Sequence, residues 1–118
     1  MSQDFKPGDF LIFQLESAYG VLRILDIEKD QESTIWHLAA YNEFFLDVES
    51  AEEAINKGIL TINIPHVALT NRAFFATQTA RMSNQSLTDK ELKPLHDWKK
   101  DPNHQVHDRS IRLMIGIR

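Results

Sequence analysis

The sequence predicts an α+β fold: a small, strongly curved, mostly antiparallel sheet or partly open β-barrel of five to seven strands, with two short helices. Three observations carry this. Apolar runs rich in branched and aromatic residues recur at 10–15, 21–27 and 34–45, a composition that suits strands. Ser50-Ala51-Glu52-Glu53 and Thr88-Asp89-Lys90-Glu91 are helix-opening capping boxes. Residues 110–118 carry a branched apolar side chain at every second position, Ile111, Leu113, Ile115 and Ile117, the period of a half-buried strand.

The 118 residues are the size of one domain, 1–118, with no linker or repeat. A chain of this length buries a core without a disulfide or metal staple. Cysteine is absent, which excludes thiolate metal sites and a thiol nucleophile and fits a reducing compartment. The expected location is cytoplasmic: no apolar run approaches a membrane span, and residues 1–7 have no signal-peptide pattern.

Taken in order, Pro7-Gly8 signals a turn into the first strand, which is apolar on both faces and so reads as central. Residues 16–20 form a hairpin connection, and 21–27 a second strand in which Val21, Leu25 and Ile27 share a face with Arg23. A charged turn at 28–33 leads to a long third strand, 34–45. There Trp36, Leu38 and Ala40 alternate with Ile35, His37, Ala39 and Tyr41. Such a length calls for a bend or bulge.

The first helix is capped by Ser50, buries Ala51, Ala54 and Ile55, and stops at Gly58. Residues 59–64 alternate as a strand stopped by Pro65, with 66–69 continuing extended. Residues 72–81 favour a strand through their threonines and Phe74-Phe75, a helix from Asn71 being the alternative. In a strand the two rings would point to opposite faces. The second helix opens at Thr88 and carries Leu92, Leu95 and Trp98; Pro94 either kinks it or starts a second helix. Asp101-Pro102-Asn103 ends it. In the last strand Ile111, Leu113, Ile115 and Ile117 face inward, beside the opening hairpin, closing the sheet.

Residues Lys6-Pro7-Gly8-Asp9-Phe10-Leu11-Ile12-Phe13 and Tyr19-Gly20-Val21-Leu22-Arg23-Ile24-Leu25 resemble the first hairpin of SH3-like barrels in bacterial polymorphic-toxin immunity proteins. The whole chain is similar to uncharacterised small bacterial proteins of cyanobacterial type. The resemblance implies a small barrel and an interaction role, and it carries no active site.

Chemistry-bearing residues are sparse. With four glycines and no Gly-x-Ser-x-Gly, neither a phosphate loop, a dinucleotide fingerprint nor a nucleophile elbow can be built, and no cofactor is expected. His37, Tyr41 and Glu43 fall on one face of the third strand, where imidazole, phenol and carboxylate could grip a polar ligand. Arg72 and Arg112 are the guanidinium groups that could hold an anion beside them. His104 and His107, with Asp108, are the metal candidates, in a loop rather than on a helix.

Net charge is −4, split between residues 1–58 at −8 and 59–118 at +4. This balance argues against nucleic acid, and the hydropathy against a membrane. The acidic half suits a basic protein partner. The leading reading is a non-catalytic cytosolic binding or protein-interaction module. The alternative is a small barrel enzyme or anion- and small-molecule-binding protein using a His/Tyr/Glu/Arg pocket. A third is a homo-oligomer joined through an exposed strand or Phe74-Phe75.

Overall fold

A computed structural model describes residues 4–116. It contains five strands and four helices in the order β1 (Asp9–Leu15), β2 (Ala18–Lys29), β3 (Thr34–Phe45), α1 (Val48–Lys57), β4 (Ile62–Thr70), α2 (Asn71–Phe75), β5 (Thr79–Asn84), α3 (Asp89–Lys100) and α4 (Ile111–Met114). The strands form one antiparallel sheet ordered β4-β3-β2-β1-β5. The expected α+β class is therefore observed. The sheet does not close into a barrel: β4 and β5 are its two edges.

The first three strands form a meander. β1 and β2 are joined by Glu16 and Ser17 alone, with Glu16 at φ 42° making the tight reversal. Asp30 closes the β2–β3 turn by accepting hydrogen bonds from the Glu32 and Ser33 amides, both at 2.8 Å. This is the local bonding that makes Asp a turn residue.

Both faces of the sheet are covered. On one, Leu11, Phe13, Leu22, Ile24, Trp36, Leu38, Val67 and Leu69 pack against Ala73 and Phe74 of α2 and Ile111 of α4. Trp36 stacks on Phe74 at 3.9 Å and 8°. On the other, Phe10, Ile12, Val21 and Tyr41 meet Ala51 and Ile55 of α1, while Leu25 and Ala39 meet Leu95 of α3. Burial of every central strand on both sides explains why β1 reads as continuously apolar.

Bulges set which side chain reaches which face. Ile24 pairs with Leu38 but Asp26 with His37, so β2 carries an extra residue at Leu25. The shift sends Ile27 to the Trp36 side, correcting the expectation that it shares a face with Val21 and Leu25. On β4, Val67 pairs with Leu38 and Ile64 with Ala40. Three steps there match two on β3, so β4 bulges across Pro65 and His66. Proline cannot donate to a ladder, and an edge bulge accommodates it. Pro65 therefore does not stop the strand.

The helix ends show further differences. Asp47, not Ser50, caps α1: its carboxylate accepts from the Ser50 amide at 2.7 Å. Gly58 ends the helix at φ 66° as expected. Thr88 and Glu91 make the full reciprocal box of α3, and Pro94 sits inside that single helix. Residues 72–81 divide into α2, capped by Thr70, and β5. Phe74 is buried and Phe75 exposed, yet both touch Trp36; they do not straddle a sheet.

The largest correction is at the C-terminus. Residues 111–114 form a helix, not a strand. Ile111 is buried, with Met114 and Ile115 packed against the same core, while Leu113 is exposed. Ile117 and Arg118 of the expected strand lie outside the described residues. The expected common interior survives: Ile111 packs in the same cluster as Leu11 and Leu22.

Candidate functional site

A cleft of about 610 Å³ opens between α1 and α3, with the sheet as its floor. This is within the size range of small-molecule sites. Phe10, Leu25, Ala39, Ile55, Leu60, Ile62, Pro65 and Pro94 give it an apolar lining. Gln85, Ser86, Thr88 and Lys90 add polar groups.

Three polar groups come from the floor and one wall. Arg23 of β2 is 2% exposed. Its Nε donates to Glu91 Oε2 at 3.2 Å and its Nη1 to the Gly8 carbonyl at 2.6 Å. The guanidinium also lies 4.1 Å from the Phe10 ring centroid. Glu91 joins α3 to this ion pair and still caps its own helix, through Thr88. Burial raises the Glu91 pKa, but the Thr88 backbone and Arg23 together hold it below the ordinary carboxylate range.

Tyr41 is the third. Its ring stacks near Phe10 at 6.1 Å, and burial pushes its phenol up to about 12. Its hydroxyl has no hydrogen-bond partner among the described residues. The group is thus a neutral donor and acceptor facing the cleft. Pro94 adds to the wall from inside α3. Lacking an N–H, it cannot bond the Lys90 carbonyl four residues earlier.

A second constellation lies beside the cleft, across three strands. His37 of β3 is fully buried. Its Nε2 is 2.6 Å from Glu28 Oε1 on β2, and its Nδ1 is 2.9 Å from His66 Nε2 on β4. A carboxylate only accepts, so Nε2 of His37 carries the proton and Nδ1 accepts from His66 Nε2–H. The remaining lone pair is then on His66 Nδ1. Trp98 of α3 packs over both rings, at centroid distances of 4.8 and 5.6 Å. Burial depresses the His37 pKa against the pull of Glu28. Burial, then the neighbouring His37, takes His66 down to about 4.

The residues singled out by sequence do not converge. Tyr41 lines the cleft, while His37 belongs to the Glu28–His66 row. Glu43 lies within an irregularity of β3 between Ala40 and Phe44, where its carboxylate accepts from the Thr61 amide at 2.9 Å and hydroxyl at 2.5 Å. Arg72 pairs with Asp108 on the surface. Arg112 stands on α4, its Nε buried without a hydrogen-bond partner among the described residues. Both belong to helices on the face away from the cleft.

His104 stacks on Trp98 at 4.0 Å, and the His107 backbone bridges to β4 at Leu69. Among the described residues no group of three or more His, Asp or Glu could hold a metal ion. Arg23, Glu91 and Glu28 were missed as site residues. Arg23 carried a signal, as a lone charge in an apolar strand buried on both faces; the two glutamates carried none. Comparison with protein families, curated proteins and solved structures found no match. No helix among the described residues is long and apolar enough to cross a membrane.

Proposed function

We propose that this chain is a non-catalytic binding domain whose ligand seat is the α1–α3 cleft, and that the ligand is a small, largely apolar, uncharged molecule. One observation carries the reading: an apolar hollow whose lining includes Tyr41, a buried phenol with no hydrogen-bond partner among the described residues. Pockets of this kind bind through apolar area and take orientation from a few polar groups. The floor itself attracts no ion, because Arg23 is neutralised by Glu91 of the α3 wall, on which Lys90 also stands at the cleft. Glu91, held below the ordinary carboxylate range, is not poised for proton transfer near neutral pH, nor is a phenol pushed up to about 12. Binding without chemistry is the use that remains for this floor.

The test uses 1-N-phenylnaphthylamine, an uncharged apolar dye that brightens on burial. Saturable binding is expected, and Leu60→Lys, which places a charge in the apolar lining, should weaken it by at least about tenfold. Thermal unfolding of the variant checks that it is folded. Dye binding that never saturates, or that Leu60→Lys leaves unchanged, overturns the reading.

A further inference from the structure

α3 is held to the sheet along its length. Glu91 meets Arg23 near its start, Leu95 packs on Leu25 and Ala39 at its middle, and Trp98 rests on His37 and His66 near its end. Only Leu95 is buried on the helix. The last of these attachments is built on two titratable rings.

We propose that Glu28, His37, His66 and Trp98 form a latch for the C-terminal half of α3, closed when the two imidazoles share one hydrogen bond and released by acid. The chemistry follows from the proton count. With Glu28 ionised and both rings neutral, one N–H lies between Glu28 and His37 and one between His66 and His37. A first added proton goes to His66 Nδ1 and leaves both bonds in place. A second must go to His37 Nδ1, where it would face the His66 N–H across 2.9 Å. Two donors and two cations cannot hold that contact. The rings separate, and the surface under Trp98 is lost.

The groups facing the rings set where this happens. Asp26 and Glu28 of β2 favour a charged His37, and Lys99 of α3 opposes it. Lys99 itself reaches Asp26 at 3.6 Å. His104 stacks on Trp98, whose Nε1–H donates to the Gln105 carbonyl at 3.0 Å. Burial of both imidazoles moves release below the ordinary histidine range. Since α3 is one wall of the cleft, release would also widen the ligand seat; that consequence alone rests on the function proposed above.

The test is amide hydrogen exchange of the whole chain at pH 7 and pH 4.5, expressed as protection factors. Protection at residues 96–100 is expected to fall by about tenfold or more, with the amides of Ile24 and Leu38 unchanged. His66→Gln keeps an N–H donor towards His37 but takes up no proton, so it should hold α3 protected at both values. His104→Gln should leave the fall intact. A wild-type α3 equally protected at both values overturns the latch, as does the same fall in His66→Gln. The dye supplies the separate reading of the cleft: exchange changes with no dye binding at either pH would sink the cleft and leave the latch standing.

Discussion

Arg23 and Glu91 meet with Nε and Oε2 3.2 Å apart beneath the start of α3. A guanidinium from the middle of β2 thus meets a carboxylate that already caps a helix 68 residues later. The pair ties together three parts of the chain, because Arg23 also donates to the carbonyls of Gly8 and Ser86. It therefore fixes both the wall and the floor of the cleft.

The energetic consequence is asymmetric. Removing one partner of a buried pair strands the other, at about 3 to 5 kcal/mol. Arg23→Met is expected near the lower figure, because the stranded Glu91 side chain is 30% exposed and the Gly8 carbonyl keeps the Gln85 amide as a donor. Glu91→Gln keeps an acceptor and should cost about 1 kcal/mol. Urea unfolding of both variants checks the order, and equal midpoints would contradict a buried Arg23 hub.

Gly20 is required by packing rather than by backbone freedom. It pairs with Phe13 across the β1–β2 hairpin, and the Phe13 ring lies over it. A Cβ at position 20 would stand 2.5 Å from Phe13 Cζ. Phe13 is itself 2% exposed, so its ring has little room to yield. Gly20→Ala should destabilise by about 2 kcal/mol, as overpacking does. Gly20→Ala with Phe13→Leu should cost less than the two single losses added, a non-additivity measurable by a double-mutant cycle.

Acid should weaken the fold in two separable steps. His37 and His66 have depressed pKa values when folded, by burial first. The unfolded chain then binds more protons below the ordinary value of about 6.5. Their contribution is complete above that pH and is lost as pH falls towards about 4, the folded value of His66. The carboxylates Glu43, Glu91 and Asp108 are held low by hydrogen bonds and cations. Their contribution is lost only below the ordinary carboxylate range. Urea midpoints from pH 8 to pH 3 should show a first decline that His66→Gln reduces and a second that it does not.

Much of this architecture was legible because local chemistry and burial agree. The charged turn within 28–33, the run 34–45, the Thr88–Glu91 box and the Gly58 stop appear where the sequence places them. The C-terminal segment was not legible, since its pattern obeys two periods at once. Ile111, Leu113 and Ile115 alternate as in a strand, while Ile111, Met114 and Ile115 have the three- and four-residue spacing of a helix face. The second set is the one the core accepts. The Glu28–His37–His66 row was hidden for a different reason. Its meeting depends on bulges at Leu25 and at Pro65-His66, and a one-residue shift in register moves a side chain to the other face.

The start of α1 offers a direct test of which local signal prevails. Ser50 and Glu53 satisfy a capping pattern, but Asp47 stands three residues before Ser50 and takes its amide at 2.7 Å. Glu53 instead pairs with Lys57 one turn on. The Asp47 carboxylate is held below its ordinary pKa by the Ser50 bonds, as expected of an anion at a helix N-terminus. An earlier cap adds turn to the helix and brings Ala51 and Ala54 to the sheet, where both are buried. Asp47→Ala should therefore lower the unfolding temperature measurably. Ser50→Ala, now within the first turn, should change stability by less than about 0.5 kcal/mol. If thermal unfolding shows the reverse order, the helix begins at Ser50 and the α1 wall of the cleft is one turn shorter.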